Sequence, residues 1–204
     1  MNRQKFLKSL HSLVGWRESA FILALAERAA PNAELYFTNT EGVPEAIVEW
    51  GGNIAGFLDR IWIALIDSPD EASMIDLLDR VVEASPDLEN TDQYGALPTA
   101  DFFALLEQAL LSGINENKKR AFDASQQSLD TITQFIEFSE GEGLDENALV
   151  KRFDTHPLVE REFSFQSEMS ELLRAARHPG DSFIRELRTL AQDEGISNIG
   201  ICLD

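Results

Sequence analysis

A chain of 204 residues, 44% hydrophobic and 26% charged, carries enough apolar material for one sizeable core, and seven prolines and twelve glycines are too few for long disordered stretches. Its formal charge of −19, from 17 Lys plus Arg against 36 Asp plus Glu, sets the surface against phosphate backbones and anionic membranes, so neither nucleic acid nor membrane is an expected partner. One cysteine rules out an intrachain disulfide framework and fits a reducing compartment, so a single cytoplasmic domain over 1–204 is expected.

From the N-terminus, the spacing predicts helices over 2–14 and 16–29. Arg3, Lys5 and Lys8 precede the apolar run "AFILALA" (20–26), as in a secretory leader. However, Arg17 and Glu18 sit directly before the run, and seven residues cannot span a bilayer, so it is expected as a buried helix turn. Pro31 opens a predicted helix over 31–39. The next, 44–66, carries the stripe Ile54, Phe57, Leu58, Ile61, Trp62, Leu65 and Ile66, with a bend expected at Gly51-Gly52. "SPDE" (68–71) offers Ser68 as a cap, Pro69 at the first helical position and Glu71 three residues after the cap of a helix over 70–84.

Helix 97–112 contains "FFALLEQALL" (102–111), apolar nearly all round and therefore expected at the centre. Helix 115–139 shows a small-residue stripe, Ala121, Ala124, Ser125 and Ser128, suited to close helix packing. Helices over 145–152, 157–177 and 180–194 follow. Pro31, Pro44, Pro98 and Pro157 all suit first turns, with Glu34, Glu45, Asp101 and Glu160 near the positive helix end. Gly113-Ile114 and Gly195-Ile196 both fit left-handed glycine stops. No run alternates with period two. The expected fold is all-α: a single multi-helix bundle of nine or ten helices.

The terminal "SNIGICLD" (197–204) is expected as a short extended strap, with Ile199 and Ile201 facing the bundle, Asn198 bonding turn backbone and Gly200 allowing close approach. Cys202, beside Ile201, Leu203 and Asp204, lacks the cationic surroundings of a reactive thiol. The same strap would alternatively serve as an oligomer contact by pairing with its copy in a homodimer.

Catalytic signatures are sparse. His11, His156 and His178 have no ligand-like spacing, no Gly-x-Ser-x-Gly elbow occurs, and "GGNIAG" (51–56) has neither phosphate-loop spacing nor a preceding strand. No catalytic, cofactor or metal residue is assigned. Glu27, Arg28, Asn32, Tyr94 and Asp101 are polar where apolar residues would be expected, and buried charges need partners. They form either a ligand pocket or a hydrogen-bonded set that fixes helix ends.

Trp16 and Phe21 leading into "ERAAPN" (27–32), then "IW" (61–62), "YGALPTAD" (94–101), "HPLVEREF" (156–163), "LR" (187–188) and "SNIGI" (197–201) resemble, in order, the YjaG-like proteins, a bacterial family of unknown function. The resemblance implies a compact all-helical cytoplasmic protein and brings no functional residue with it. The functional expectation is a non-enzymatic protein-binding or regulatory module, with an unknown protein partner or a second copy as its target. The alternative is a small-ligand binder or enzyme with a polar pocket near Glu27, Arg28 and Tyr94.

Overall fold

A computed structural model describes residues 3–40, 42–67, 70–88 and 93–203. Among the described residues the fold is ten α-helices: α1 (Arg3–Leu10), α2 (Trp16–Thr38), α3 (Glu45–Gly51), α4 (Ile54–Trp62), α5 (Glu71–Ala84), α6 (Ala96–Ile114), α7 (Arg120–Glu140), α8 (Glu146–Thr155), α9 (Pro157–Ala175) and α10 (Asp181–Gln192). There is no sheet among them, only an isolated bridge between Ile196 and Cys202. None of these helices is long and apolar enough to cross a membrane.

The central element is α2 rather than α6. Every residue from Glu18 to Ala30 is buried, whereas α6 keeps an exposed position at Glu107. α2 packs against α4, α6, α7, α9 and α10. It also runs unbroken through Pro31, where the sequence suggested a fresh start. A mid-helix proline forfeits one hydrogen bond and crowds a carbonyl, about 3 kcal/mol. Phe21 to Ala26 on one side and Ala33 and Phe37 on the other are buried in the same core, which offsets that cost.

The predicted helix over 44–66 divides instead of bending. Gly52 takes φ +76°, Asn53 caps α4 by accepting from the Gly56 amide at 2.8 Å, and a one-turn π-helix (Ile63–Asp67) follows α4. A Cβ on Gly56 would lie 2.0 Å from the Gly51 carbonyl oxygen, so the two backbones meet where no side chain fits. Ser68 and Pro69 lie outside the described residues. The cap of α5 is Asp70, whose carboxylate accepts from the Ser73 amide at 2.9 Å. Gly113 is no left-handed stop: it lies inside α6, where a Cβ would press on Met74 and Leu65.

At the other predicted stop the reversal begins two residues early. α10 ends at Gln192, and Asp193, Glu194 and Gly195 take φ +44°, +57° and +85° in succession. Left-handed backbone costs an L-residue about 1–2 kcal/mol, so the turn is held from outside, by arginines gripping Asp193 (below). Glu194 is exposed and relieving it needs no repacking. Glu194→Gly is therefore expected to stabilise the chain by about 0.5–1 kcal/mol after glycine's added unfolded-state freedom is subtracted, read as a higher urea midpoint.

The tail does not run as an extended strap. The Ser197 amide donates to the Ile201 carbonyl at 2.8 Å, the Gly200 amide to the Ser197 carbonyl at 3.0 Å, and the Ile201 amide to Ser197 Oγ at 3.0 Å. These bonds close 197–201 into a tight turn, with Gly200 at φ +85°. A second small apolar cluster, Leu129, Ile132, Ile136 and Val159 from α7 and α9, takes Ile199 from this turn, with Ile201 half-buried beside it. Cys202 is exposed.

Candidate functional site

Two adjoining polar regions surround the second half of α2. Helical spacing places Glu27 and Arg28 on different faces, and each reaches a separate set of partners. Glu27, 4% exposed, receives the Trp62 indole at 2.7 Å, the Arg188 guanidinium through Nε and Nη2 at 2.9–3.0 Å, and the Gln192 amide at 2.8 Å. Arg188 also reaches Asp59 at 2.6 Å. Both Glu27 oxygens are therefore fully engaged. A cavity of about 310 Å³ beside Trp62 and Arg188 and another of about 250 Å³ beside Glu27 and Pro31 adjoin this cluster.

Arg28, 2% exposed, donates through Nε to Glu162 at 2.8 Å and through Nη1 to Asp193 at 2.9 Å, and its guanidinium lies 4.5 Å from the Phe165 ring. Glu162, fully buried on α9, also receives Ser128 Oγ at 2.8 Å and Gln166 Nε2 at 2.9 Å, and Ser125 Oγ donates to Gln166 at 2.6 Å. Of the small-residue stripe, Ser128 thus binds the carboxylate directly and Ser125 orients its Gln166 donor, as well as letting helices approach. Arg161 joins from α9, donating to Asp193 at 2.9 Å and to the Ile196 carbonyl at 3.2 Å. Burial works against the Asp193 charge, but Arg161 and Arg28 prevail and hold its carboxyl below the usual range.

The structure does not join Tyr94 and Asp101 to this network. Tyr94 precedes α6, with its ring 4.0 Å from Phe138 in a stack and 6.1 Å from Phe135. Asp101 on α6 accepts from Thr131 at 2.7 Å and Gln127 at 3.4 Å, both on α7. Burial, with Asp101's charge second, pushes the Tyr94 phenol up to about 12, so it stays protonated as a neutral hydrogen-bonding group. Burial likewise raises the Asp101 and Glu34 carboxyls.

The raised Asp101 value has a consequence for stability. A proton bound more tightly in the folded than in the unfolded chain contributes stability below the unfolded carboxylate value of 3.8, and loses it as pH rises through the folded value. Asp101→Asn removes that titration. Relative to the natural chain, the variant is expected to gain stability as pH is raised from about 3 to about 7, measured by urea unfolding at each pH.

Asn32 follows Arg28 one helical turn later on α2. It is 2% exposed and donates through Nδ2 to Asn198 Oδ1 at 2.9 Å, so Asn198 bonds a side chain of α2 rather than the turn backbone. Asn32 also lines a cleft of about 260 Å³ whose walls are Tyr36, Tyr94, Pro98, Phe135, Ile199 and Ile201. Gly95 belongs to the same wall, where a Cβ would sit 3.3 Å from the Tyr36 ring. Phe138, stacked on Tyr94 beside this cleft, is 66% exposed.

Glu27, Arg28 and Asn32 stand out in the sequence, whereas Glu162, Gln166, Asp193, Arg161 and Arg188 do not. For Glu162 and Gln166 a signal existed. Val159, Glu162, Gln166, Met169 and Leu173 are spaced three, four, three and four apart, a buried stripe in which two polar residues sit at apolar positions. The histidines are not gathered: His156 caps α9 from a buried position, His11 stacks on Phe122, and His178 is exposed. No group of His, Cys, Asp and Glu suited to a metal occurs among the described residues.

Fold and site together define an acidic all-helical bundle with a largely buried arginine–carboxylate network beside an aromatic cleft. The chain belongs to a family described as "Protein of unknown function (DUF416)", whose pattern matches residues 5–202. It is 28% identical over 200 residues to an uncharacterised protein of Haemophilus influenzae, covering 98% of this chain and 97% of that one. It is also 28% identical over 193 residues to the uncharacterised protein YjaG of Salmonella typhimurium, covering 94% and 93%. The crystal structure of a DUF416 family protein from Shewanella baltica superposes with a TM-score of 0.82 at 23% identity, over 97% of this chain and 98% of that one, and so shares the fold.

Proposed function

We propose that the protein is a non-enzymatic binding module that takes a segment of a basic partner protein against the Tyr94 cleft. One observation carries this reading. Phe138, two-thirds exposed, is stacked on Tyr94 beside a cleft walled by Tyr36, Pro98 and Phe135. Exposed aromatics at a concave site supply large contact area with few rotors to immobilise, as at the hot spots of protein interfaces. The groups lining the cleft are aromatic rings, a neutral phenol, amides and aliphatic side chains, which bind rather than transform. The charged groups with acid–base or nucleophilic capacity, Glu27, Arg28 and Glu162, are committed to one another and to neighbouring helices.

The basic character of the partner is inferred from the net charge of −19 and from Asp101, whose charge reaches Tyr94 and which has Asp130 near it. The test is selection of a random peptide library displayed on phage, with Phe138→Ser as the counter-target. The natural chain is expected to enrich peptides that place Lys or Arg next to an aromatic residue or proline, and the variant to enrich none. Equal enrichment on both chains, or none on either, overturns the reading.

A further inference from the structure

The cavity beside Glu27 and Pro31 carries a negative charge that no side chain among the described residues balances. Its wall is drawn from α2, α4, α10 and the tail, and its charged members are two carboxylates, Glu27 and Glu34, against one guanidinium, Arg188. That guanidinium is already shared by Glu27 and Asp59. The Glu34 carboxylate has neither a hydrogen-bond donor nor a cation beside it, and burial alone pushes its carboxyl up. Donors on the wall are spent within the chain: Arg188 Nε and Nη2 and the Gln192 amide all go to Glu27. Pro31 adds none, since it has no N–H to offer the Glu27 carbonyl one turn earlier. The cavity therefore presents an open acceptor with excess negative charge.

We infer that this cavity binds an alkylammonium group, its N–H bonds donated to the Glu34 carboxylate and its hydrocarbon laid against Pro31, Leu58 and Leu203. The site goes beyond the Tyr94 cleft and does not rest on it. Glu27, Pro31 and Glu34 share one face of α2, whereas Asn32 and Tyr36, which line the cleft, lie on another. Other ligand classes fit less well. An anion is repelled by the two carboxylates. A metal ion takes about six or more oxygens, and here Ala30, Pro31, Leu58 and Leu203 make much of the wall apolar. An alcohol can donate to Glu34 but leaves its charge unbalanced. Leu203, 39% exposed, is a large apolar side chain that the ligand's hydrocarbon would cover. A volume of about 250 Å³ falls just below the usual range for ligand pockets, about 300–1,000 Å³, and so suits a short amine.

The probe is n-butylammonium chloride, titrated at constant ionic strength into the uniformly 15N-labelled natural chain, with n-butanol and sodium butyrate as controls. Saturable shifts are expected in the backbone amides of Ala30, Glu34 and Leu203, with both controls at least about tenfold weaker. A chain of net charge −19 attracts any cation loosely over its surface, so Glu34→Gln decides. That half-buried change removes a charge without a partner, so the variant should melt no lower than the natural chain and lose the preference for amine over alcohol. A preference retained in Glu34→Gln, equal binding of the three probes, or shifts spread over the whole acidic surface overturns the inference.

Nα-acetyl-lysinamide separates the two sources of an alkylammonium. Tighter binding than butylammonium, lost in Glu34→Gln, supports the site with a lysine side chain as its occupant; weaker binding supports it with a free amine. Failure of the peptide selection at Phe138 leaves this site standing, and failure of the amine titration leaves the aromatic cleft standing.

Discussion

Arg28→Met is expected to lower folding stability by about 3–5 kcal/mol, the cost of leaving one member of a buried ion pair uncompensated. Glu162 is fully buried, and without the guanidinium its charge retains only the Ser128 and Gln166 donors. Asp193 is affected less, because Arg161 still holds it at the partly exposed end of the network. A domain of this size has about 5–15 kcal/mol in total, so the single change brings the chain near its threshold. The double replacement Arg28→Met with Glu162→Leu is expected to recover much of the loss, since desolvating two charges costs about as much as their attraction returns. Urea midpoints followed by far-ultraviolet circular dichroism give both values. A loss below about 1 kcal/mol for Arg28→Met would mean that water reaches Glu162.

Glu27→Gln is the second large effect, about 2–4 kcal/mol. The carboxylate accepts from three side chains on two other helices, Trp62 on α4 and Arg188 and Gln192 on α10. A carboxamide keeps one acceptor oxygen and turns an NH2 toward donors, so at least one of Trp62, Arg188 and Gln192 is left without its bond. Arg188 keeps Asp59, whose side chain is largely exposed and compensates little. Because the Trp62 indole loses or shares its acceptor, its fluorescence should change even in the folded state. An unchanged urea midpoint would show that the cluster contributes no cohesion between α2, α4 and α10.

These effects explain how far the sequence could be read. The helices were legible because apolar residues recur each turn, as in Ile54, Phe57, Leu58 and Ile61, all of them buried. The misplaced boundaries have local causes. Pro31 marks a helix start only when nothing on both sides demands burial, and here both sides are core. The sequence places the left-handed turn at a glycine, but the pull of Arg28 and Arg161 on Asp193 starts it earlier. Of the polar residues, Glu27 and Arg28 stood out because they interrupt a buried apolar run. Glu162 did not, since one more acid among 36 acidic residues looks like solvated surface unless its register on α9 is compared with that of Val159 and Met169. Residue type alone groups Tyr94 and Asp101 with Glu27, and only the packing of α6 on α7 separates them. Asn198 lies 166 residues from Asn32, a pairing that no local pattern encodes.

The division of labour between a charged interior that holds the helices and an aromatic cleft that recognises a partner is tested most directly by one paired measurement. A peptide selected on the natural chain is titrated into Phe138→Ser and Glu27→Gln, and the melting temperature of each variant is recorded alongside. Phe138→Ser, an exposed change, should melt within a few degrees of the natural chain and bind at least about tenfold more weakly. Glu27→Gln should melt lower and, while folded, bind with undiminished affinity. Affinity that follows Glu27 and ignores Phe138 would contradict the assignment and move recognition into the charged network.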